Sequence, residues 1–144
     1  MNSLQEQMVR SAIPEKVWQI AKYLDNVHLT GSRYFGNHSF ESDWDFYTEN
    51  NTFNVEVLRN AGFMKVTRSN AEKYAENIFV ADVYSLIEDI PFRSIHVLMV
   101  NSQHMEEFDK IHTLLHSNAE FIFLNKRERK SVFNILLDTE INHR

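Results

Sequence analysis

Apolar residues recur at three- and four-residue intervals in several parts of the chain, and this spacing predicts amphipathic helices. The first is predicted over about 14–24, because Pro14 suits the first turn of a helix. The second is predicted over about 53–61, with Thr52 as its N-cap and Gly62 just past its end, where a left-handed residue is common. Both helices are expected to bury one apolar stripe.

The C-terminal part, 102–144, is expected to be helical. One helix follows Ser102, and its apolar stripe consists of Met105, Phe108, Ile111 and Leu115. A last helix is predicted to begin at Asn125, since Glu128 three residues later makes a capping-box pattern. Its apolar face is formed by Val132, Phe133, Leu136 and Leu137.

The middle of the chain carries short runs that are β-branched or alternate between apolar and polar residues, which is typical of strands. Strands are predicted over 27–30, 44–47, 63–67, 78–86 and 93–100, the last two as antiparallel neighbours. The element order is then α-β-β-α-β-β-β-α-α. This order predicts an α/β fold of the α+β type, a mixed β-sheet flanked by helices in a single domain over 1–144.

The composition does not favour a nucleic-acid-binding, secreted or membrane-spanning protein. The net charge is −5, so the chain as a whole has no positive field to attract nucleic acid or an anionic membrane. It has no cysteine, no apolar leader at its N-terminus and no apolar run long enough to span a bilayer. We therefore expect a soluble cytoplasmic protein that does not associate with a membrane.

One stretch combines residues suited to phosphate and metal chemistry. Gly31-Ser32 ends a predicted strand, and Asp43-x-Asp45 follows after ten residues on the next. Two aspartates two apart on a strand project from one face and can share Mg²⁺. Glycine lets backbone N–H groups approach a triphosphate, which gives a use for Gly31 and for Gly36.

This combination resembles the signature of the DNA polymerase β-like nucleotidyltransferase superfamily, in which one strand ends in Gly-Ser and the next carries Asp-x-Asp. It is most similar to the minimal nucleotidyltransferases, small single-domain members with the same spacer. The flanking Trp44 and Phe46 resemble the aromatic-rich motifs of short phage-encoded proteins, which would place this chain in a host cytoplasm.

The resemblance implies transfer of a nucleoside monophosphate from a nucleoside triphosphate to an acceptor, with Mg²⁺ as cofactor. It leaves the acceptor open among a protein, a tRNA and a small molecule. By the resemblance, Asp43 and Asp45 are catalytic and bind the metal. The nucleotide-binding residues are Gly31, Ser32, Arg33 and Gly36, although Arg33 at a turn can equally point into solvent.

Active members of the family usually carry a third carboxylate on a later strand beside the Asp-x-Asp strand. The run 94–100 has no acidic residue, so Asp82 or His96 is the candidate replacement. Without a third acid, the alternative is a catalytically degenerate nucleotidyltransferase fold. Such a protein would act as a phage effector or antitoxin that binds a protein or nucleic acid.

Two other patterns suit a functional role, but an ordinary surface role also accounts for each of them. His112 and His116 are four apart on a predicted helix, a spacing that suits zinc, but a solvated helix edge is the more common reason for it. The run 126–130 is basic except for Glu128 and is typical of an exposed helix start. Contact with nucleic acid is its alternative role.

Overall fold

The computed structural model describes residues 14–36, 38–39, 42–66, 80–87, 94–118 and 123–142. The strands are β1 His28–Thr30, β2 Trp44–Glu49, β3 Met64–Lys65, β4 Val80–Ile87 and β5 Ser94–Val100. The helices are α1 Glu15–Ala21, α2 Gly31–Phe35, α3 Thr52–Asn60, α4 Met105–His116 and α5 Lys126–Asn142, with a 3-10 turn at Ser102–His104. The predicted mixed sheet flanked by helices is confirmed.

The five strands form one sheet in the order β1-β2-β5-β4-β3. Strands β2 and β5 are parallel, and the other neighbouring pairs are antiparallel. In the register, Asp45 on β2 lies between Thr30 on β1 and His96 on β5. These three residues therefore form one row across the sheet.

Helices cover both faces of the sheet. Phe46 and Tyr47 point to opposite faces because side chains alternate along a strand. Phe46 belongs to a buried cluster that includes Val17 of α1 and Leu58 of α3. Tyr47 belongs to a second cluster built from α4 and α5, which includes Leu137. The row through Asp45 lies on the α4 and α5 face, since Asp45 and Tyr47 are two apart.

The predicted caps are confirmed at one helix and wrong at another. At α5, Asn125 Oδ1 accepts a hydrogen bond from the Glu128 N–H at 2.9 Å, and Glu128 Oε1 accepts one from the Asn125 N–H at 3.0 Å. At α3, however, the cap is Asn51, whose Oδ1 accepts from the Asn54 N–H at 2.8 Å. Thr52 is instead the first helical residue, because Asn51 already provides a side-chain acceptor three residues before Asn54.

Other boundaries differ slightly from the predictions. The first helix ends at Ala21 and β2 extends to Glu49. Gly62 has φ +94°, as expected for a residue just past a helix. The predicted strand positions 67, 78–79 and 93 lie outside the described residues. Among the helices that the structure describes, none is long and apolar enough to cross a membrane.

Candidate functional site

Gly31 is the point where β1 ends and α2 begins, and it lies against the side chain of Asp45. Gly31 has φ +69°, in the left-handed region that side chains disfavour. A Cβ atom at this position would lie 2.3 Å from Asp45 Oδ2 and 3.0 Å from Asp45 Cβ. Glycine is thus required twice, for the backbone angle and for the close approach of the carboxylate.

Arg33 was expected at a turn, but the connection after Gly31 contains the short helix α2. Gly36 ends this helix in the left-handed conformation with φ 95°, and its N–H donates to the Ser32 carbonyl oxygen at 2.8 Å. Ser32 lies in the first turn of α2 and is partly buried. Gly36 therefore has a helix-ending role within this structure.

Asp43 and Asp45 lie on the same side of β2. Asp43 is in the segment just before the strand, and Asp45 is its second residue. Asp45 Oδ1 lies 3.0 Å from His96 Nδ1, and Asp43 Oδ2 lies 4.0 Å from the same nitrogen. Both side chains are only partly buried, at 38% and 26% exposure, so solvent can reach the two carboxylates.

His96 occupies the place beside Asp45 where the resemblance predicts a third carboxylate. It is Asp45's register partner on β5, and its side chain is buried. Its Nδ1 faces Asp45, and its Nε2 lies 3.2 Å from Ser94 Oγ. Asp82 is on β4, which β5 separates from β2, and it pairs with Lys65 at 3.1 Å. His96 is therefore the neighbour of the aspartate pair, and Asp82 is not.

The guanidinium of Arg33 packs against the protein and does not point into solvent. Its Nε and Nη2 donate to the Ser42 carbonyl oxygen at 3.1 and 2.8 Å, and its guanidinium lies 4.1 Å from the centre of the Trp44 ring. Burial lowers the pKa of Arg33, while the charges of Asp45 and Asp43 act in the opposite direction. Arg33 thus ties α2 to the start of β2 and places a positive charge near both aspartates.

Helix α4 packs against the residues on both sides of Gly31. His112 Nε2 lies 2.9 Å from Thr30 Oγ1, and the Tyr34 ring stacks against both His112 and His116, with ring centres 4.2 and 4.1 Å apart. The expected solvated edge is wrong for His112, which is fully enclosed. Burial lowers the pKa of His112 well below its usual value, with smaller contributions from His28 and His116.

The basic run at the start of α5 is exposed in part. Arg127 and Glu128 are exposed, while Arg129 is partly buried and burial lowers its pKa. This arrangement agrees with a helix start that also packs against the protein.

A metal ion at the aspartate pair would have two carboxylate ligands from the protein, those of Asp43 and Asp45. Within the described ranges, no group of three or more His, Asp or Glu side chains is arranged to hold a metal ion. Two carboxylates on one side of a strand still fit Mg²⁺, which commonly takes one or two carboxylates together with substrate phosphate oxygens. The donor set is thus compatible with Mg²⁺ delivered with a nucleotide.

Sequence reasoning did not find the contacts of Ser94 with His96 or of Arg33 with Ser42. A signal existed for the first, since residues two apart on a strand share a face. No signal existed for the second, which joins a side chain to a backbone carbonyl nine residues later. Comparison with protein families, curated proteins and solved structures finds no match to this chain.

Proposed function

We propose that this protein is a Mg²⁺-dependent nucleotidyltransferase that transfers a nucleoside monophosphate from a nucleoside triphosphate to an acceptor. The observation that carries the proposal is the contact between the two halves of the motif. Gly31, at the end of β1, lies against the carboxylate of Asp45, and Asp43 lies on the same side of β2. A plain turn followed by a solvated strand face does not require this close approach.

In this proposal the aspartate pair holds Mg²⁺ and the turn at Gly31 and Ser32 faces the triphosphate. The bound metal supplies charge neutralisation on the phosphates, which group transfer between oxygens needs. Ser32 provides a hydroxyl donor in the first turn of α2. The guanidinium of Arg33 contributes positive charge near the site while its Nε and Nη2 donate to the Ser42 carbonyl oxygen. Its role is therefore electrostatic and structural.

A test of the site is calorimetric titration with ATP as the probe, in the presence and absence of Mg²⁺. We expect Mg²⁺ to tighten ATP binding by about tenfold or more, because Asp43 and Asp45 would hold a cation that also neutralises charge on the phosphates. Asp43→Asn and Asp45→Asn should each remove most of this gain while the fold is retained. Equal ATP affinity with and without Mg²⁺ would contradict a metal-linked site.

Asp82→Asn is the matched control, since it also removes one carboxylate from the sheet but at a position paired with Lys65. Its Mg²⁺-dependent ATP affinity should equal that of the wild type. Turnover is then sought with nucleotides labelled at the α-phosphate and with proteins, tRNA and small alcohols as acceptors. Labelling that disappears in Asp43→Asn and Asp45→Asn would support the transferase.

The second candidate function is a binding protein of this fold without turnover. It is favoured by β5, where the register partner of Asp45 is a histidine and no residue is acidic. In that case biological activity should survive Asp43→Asn and Asp45→Asn. The damaging substitutions would instead map to a surface away from 31–45, where a protein or nucleic-acid partner docks.

A further inference from the structure

The imidazole of His96 is held from both ring nitrogens. Nδ1 lies 3.0 Å from Asp45 Oδ1, and Nε2 lies 3.2 Å from Ser94 Oγ. A carboxylate only accepts hydrogen bonds, so the nitrogen that faces Asp45 must carry a hydrogen. In the neutral ring Nε2 is then the acceptor, and Ser94 is the donor that faces it.

The Asp45 carboxylate is correspondingly held from two sides. His96 contacts Oδ1, and the backbone of Gly31 lies against Oδ2, where even a methyl group would not fit. Each carboxylate oxygen can accept more than one hydrogen bond or ligand, so both oxygens keep capacity for a cation. What the two contacts restrict is rotation of the carboxylate about its bond to Cβ.

We propose that His96 is the positioning residue of the candidate site: its Nδ1–H orients Asp45 for the metal, and Ser94 fixes the ring. This inference rests on the proposed function for the metal and the nucleotide, but its geometry concerns the protein alone. Partners that hold a metal-binding side chain in place matter for affinity because they remove the cost of ordering it. His96 thus acts through Asp45 and keeps its proton on Nδ1.

The first test is the tautomer of His96, which nuclear magnetic resonance reads from long-range correlations between ring protons and ring nitrogens. Spectra of the wild-type protein without ligand, in mildly alkaline solution, should show hydrogen on Nδ1. Addition of Mg²⁺ and ATP should leave it there. Hydrogen on Nε2 in the free protein, or loss of the Nδ1 hydrogen when Mg²⁺ and ATP bind, would overturn the proposal.

The second test uses two amides that imitate the two ring nitrogens. The Nδ2 of asparagine lies close to where Nδ1 of histidine lies, while glutamine reaches toward Nε2. His96→Asn should therefore keep Mg²⁺-dependent ATP affinity close to the wild-type value, whereas His96→Gln and His96→Ala should lose about tenfold or more. Equal losses in His96→Asn and His96→Gln, with all variants folded by circular dichroism, would contradict the positioning role.

The two tests separate this inference from the proposed function. If ATP does not bind the wild type, the transferase fails, while the tautomer of His96 still decides whether Asp45 is held as proposed. If ATP binds with Mg²⁺ but the tautomer or the pattern of variants is wrong, only the role of His96 fails.

Discussion

At the scale of single residues, a comparison of Gly31 with Gly62 separates two costs of adding a side chain. One is the strain of a left-handed backbone, and the other is a clash with Asp45. Both have positive φ, +69° and +94°, but among the residues that the structure describes a Cβ at Gly62 would meet only Leu86 Cδ1, at 3.7 Å. Gly62→Ala should therefore cost only the left-handed penalty, about 1–2 kcal/mol of unfolding free energy. Gly31→Ala should add a packing clash of about 1–3 kcal/mol. Urea denaturation measures both.

The two glycines also differ in whether the cost of replacing them depends on Asp45. In an Asp45→Ala background the carboxylate oxygen is gone, so Gly31→Ala should cost less there than in the wild type. The Gly62→Ala cost should be the same in both backgrounds, since distant sites are additive. Identical costs for Gly31→Ala in the two backgrounds would show that the carboxylate does not limit this turn.

At the scale of elements, the start of α3 distinguishes the cap seen in the structure from the cap predicted by the sequence. Asn51→Ala removes the acceptor for the Asn54 N–H and should cost about 1 kcal/mol of unfolding free energy. Thr52→Ala, at an exposed first helical position, should change stability by less than about 0.5 kcal/mol. Thermal or urea unfolding of the two variants gives the comparison, and the reverse order would assign the cap to Thr52.

The elements also show which parts of the fold were predictable. The stripe of Phe108, Ile111 and Leu115 and the capping box at Asn125 depend on residues within one or two turns, so the sequence reveals them. The five-residue helix α2 was not predicted, since it is too short for an apolar period. The row that joins Asp45 to His96 depends on strand pairing across 51 positions, which local patterns do not encode.

At the scale of the whole molecule, the aspartate pair is predictable as a motif, but its surroundings come from distant segments. Thr30 bonds to His112 on α4, and Tyr34 packs between two histidines of that helix. Helix α4 therefore supports the turn at Gly31 directly. A histidine pair at helical spacing did not indicate this role, because the spacing alone does not reveal which face is buried.

The burial of His112 predicts how the stability of the whole protein depends on pH. Burial lowers the pKa of His112 well below 6.5 in the folded state, while the unfolded chain regains a pKa of about 6.5. The unfolded state then binds one more proton than the folded state between these two values. The contribution of neutral His112 to the unfolding free energy is fully present above about pH 6.5. It is lost as the pH falls toward the folded-state pKa, at up to about 1.4 kcal/mol per pH unit.

Glutamine at position 112 cannot be protonated in this pH range but can still bond to Thr30. His112→Gln should therefore reduce the slope of unfolding free energy against pH. Urea unfolding at a series of pH values below 6.5 should show wild-type stability falling more steeply than that of His112→Gln, so the two curves converge or cross on acidification. His38→Gln, at an exposed position, controls for the removal of an imidazole as such. If the wild type and His112→Gln lose stability in parallel as the pH falls, His112 is not buried in its neutral form, and the support that α4 gives to the turn at Gly31 is built differently.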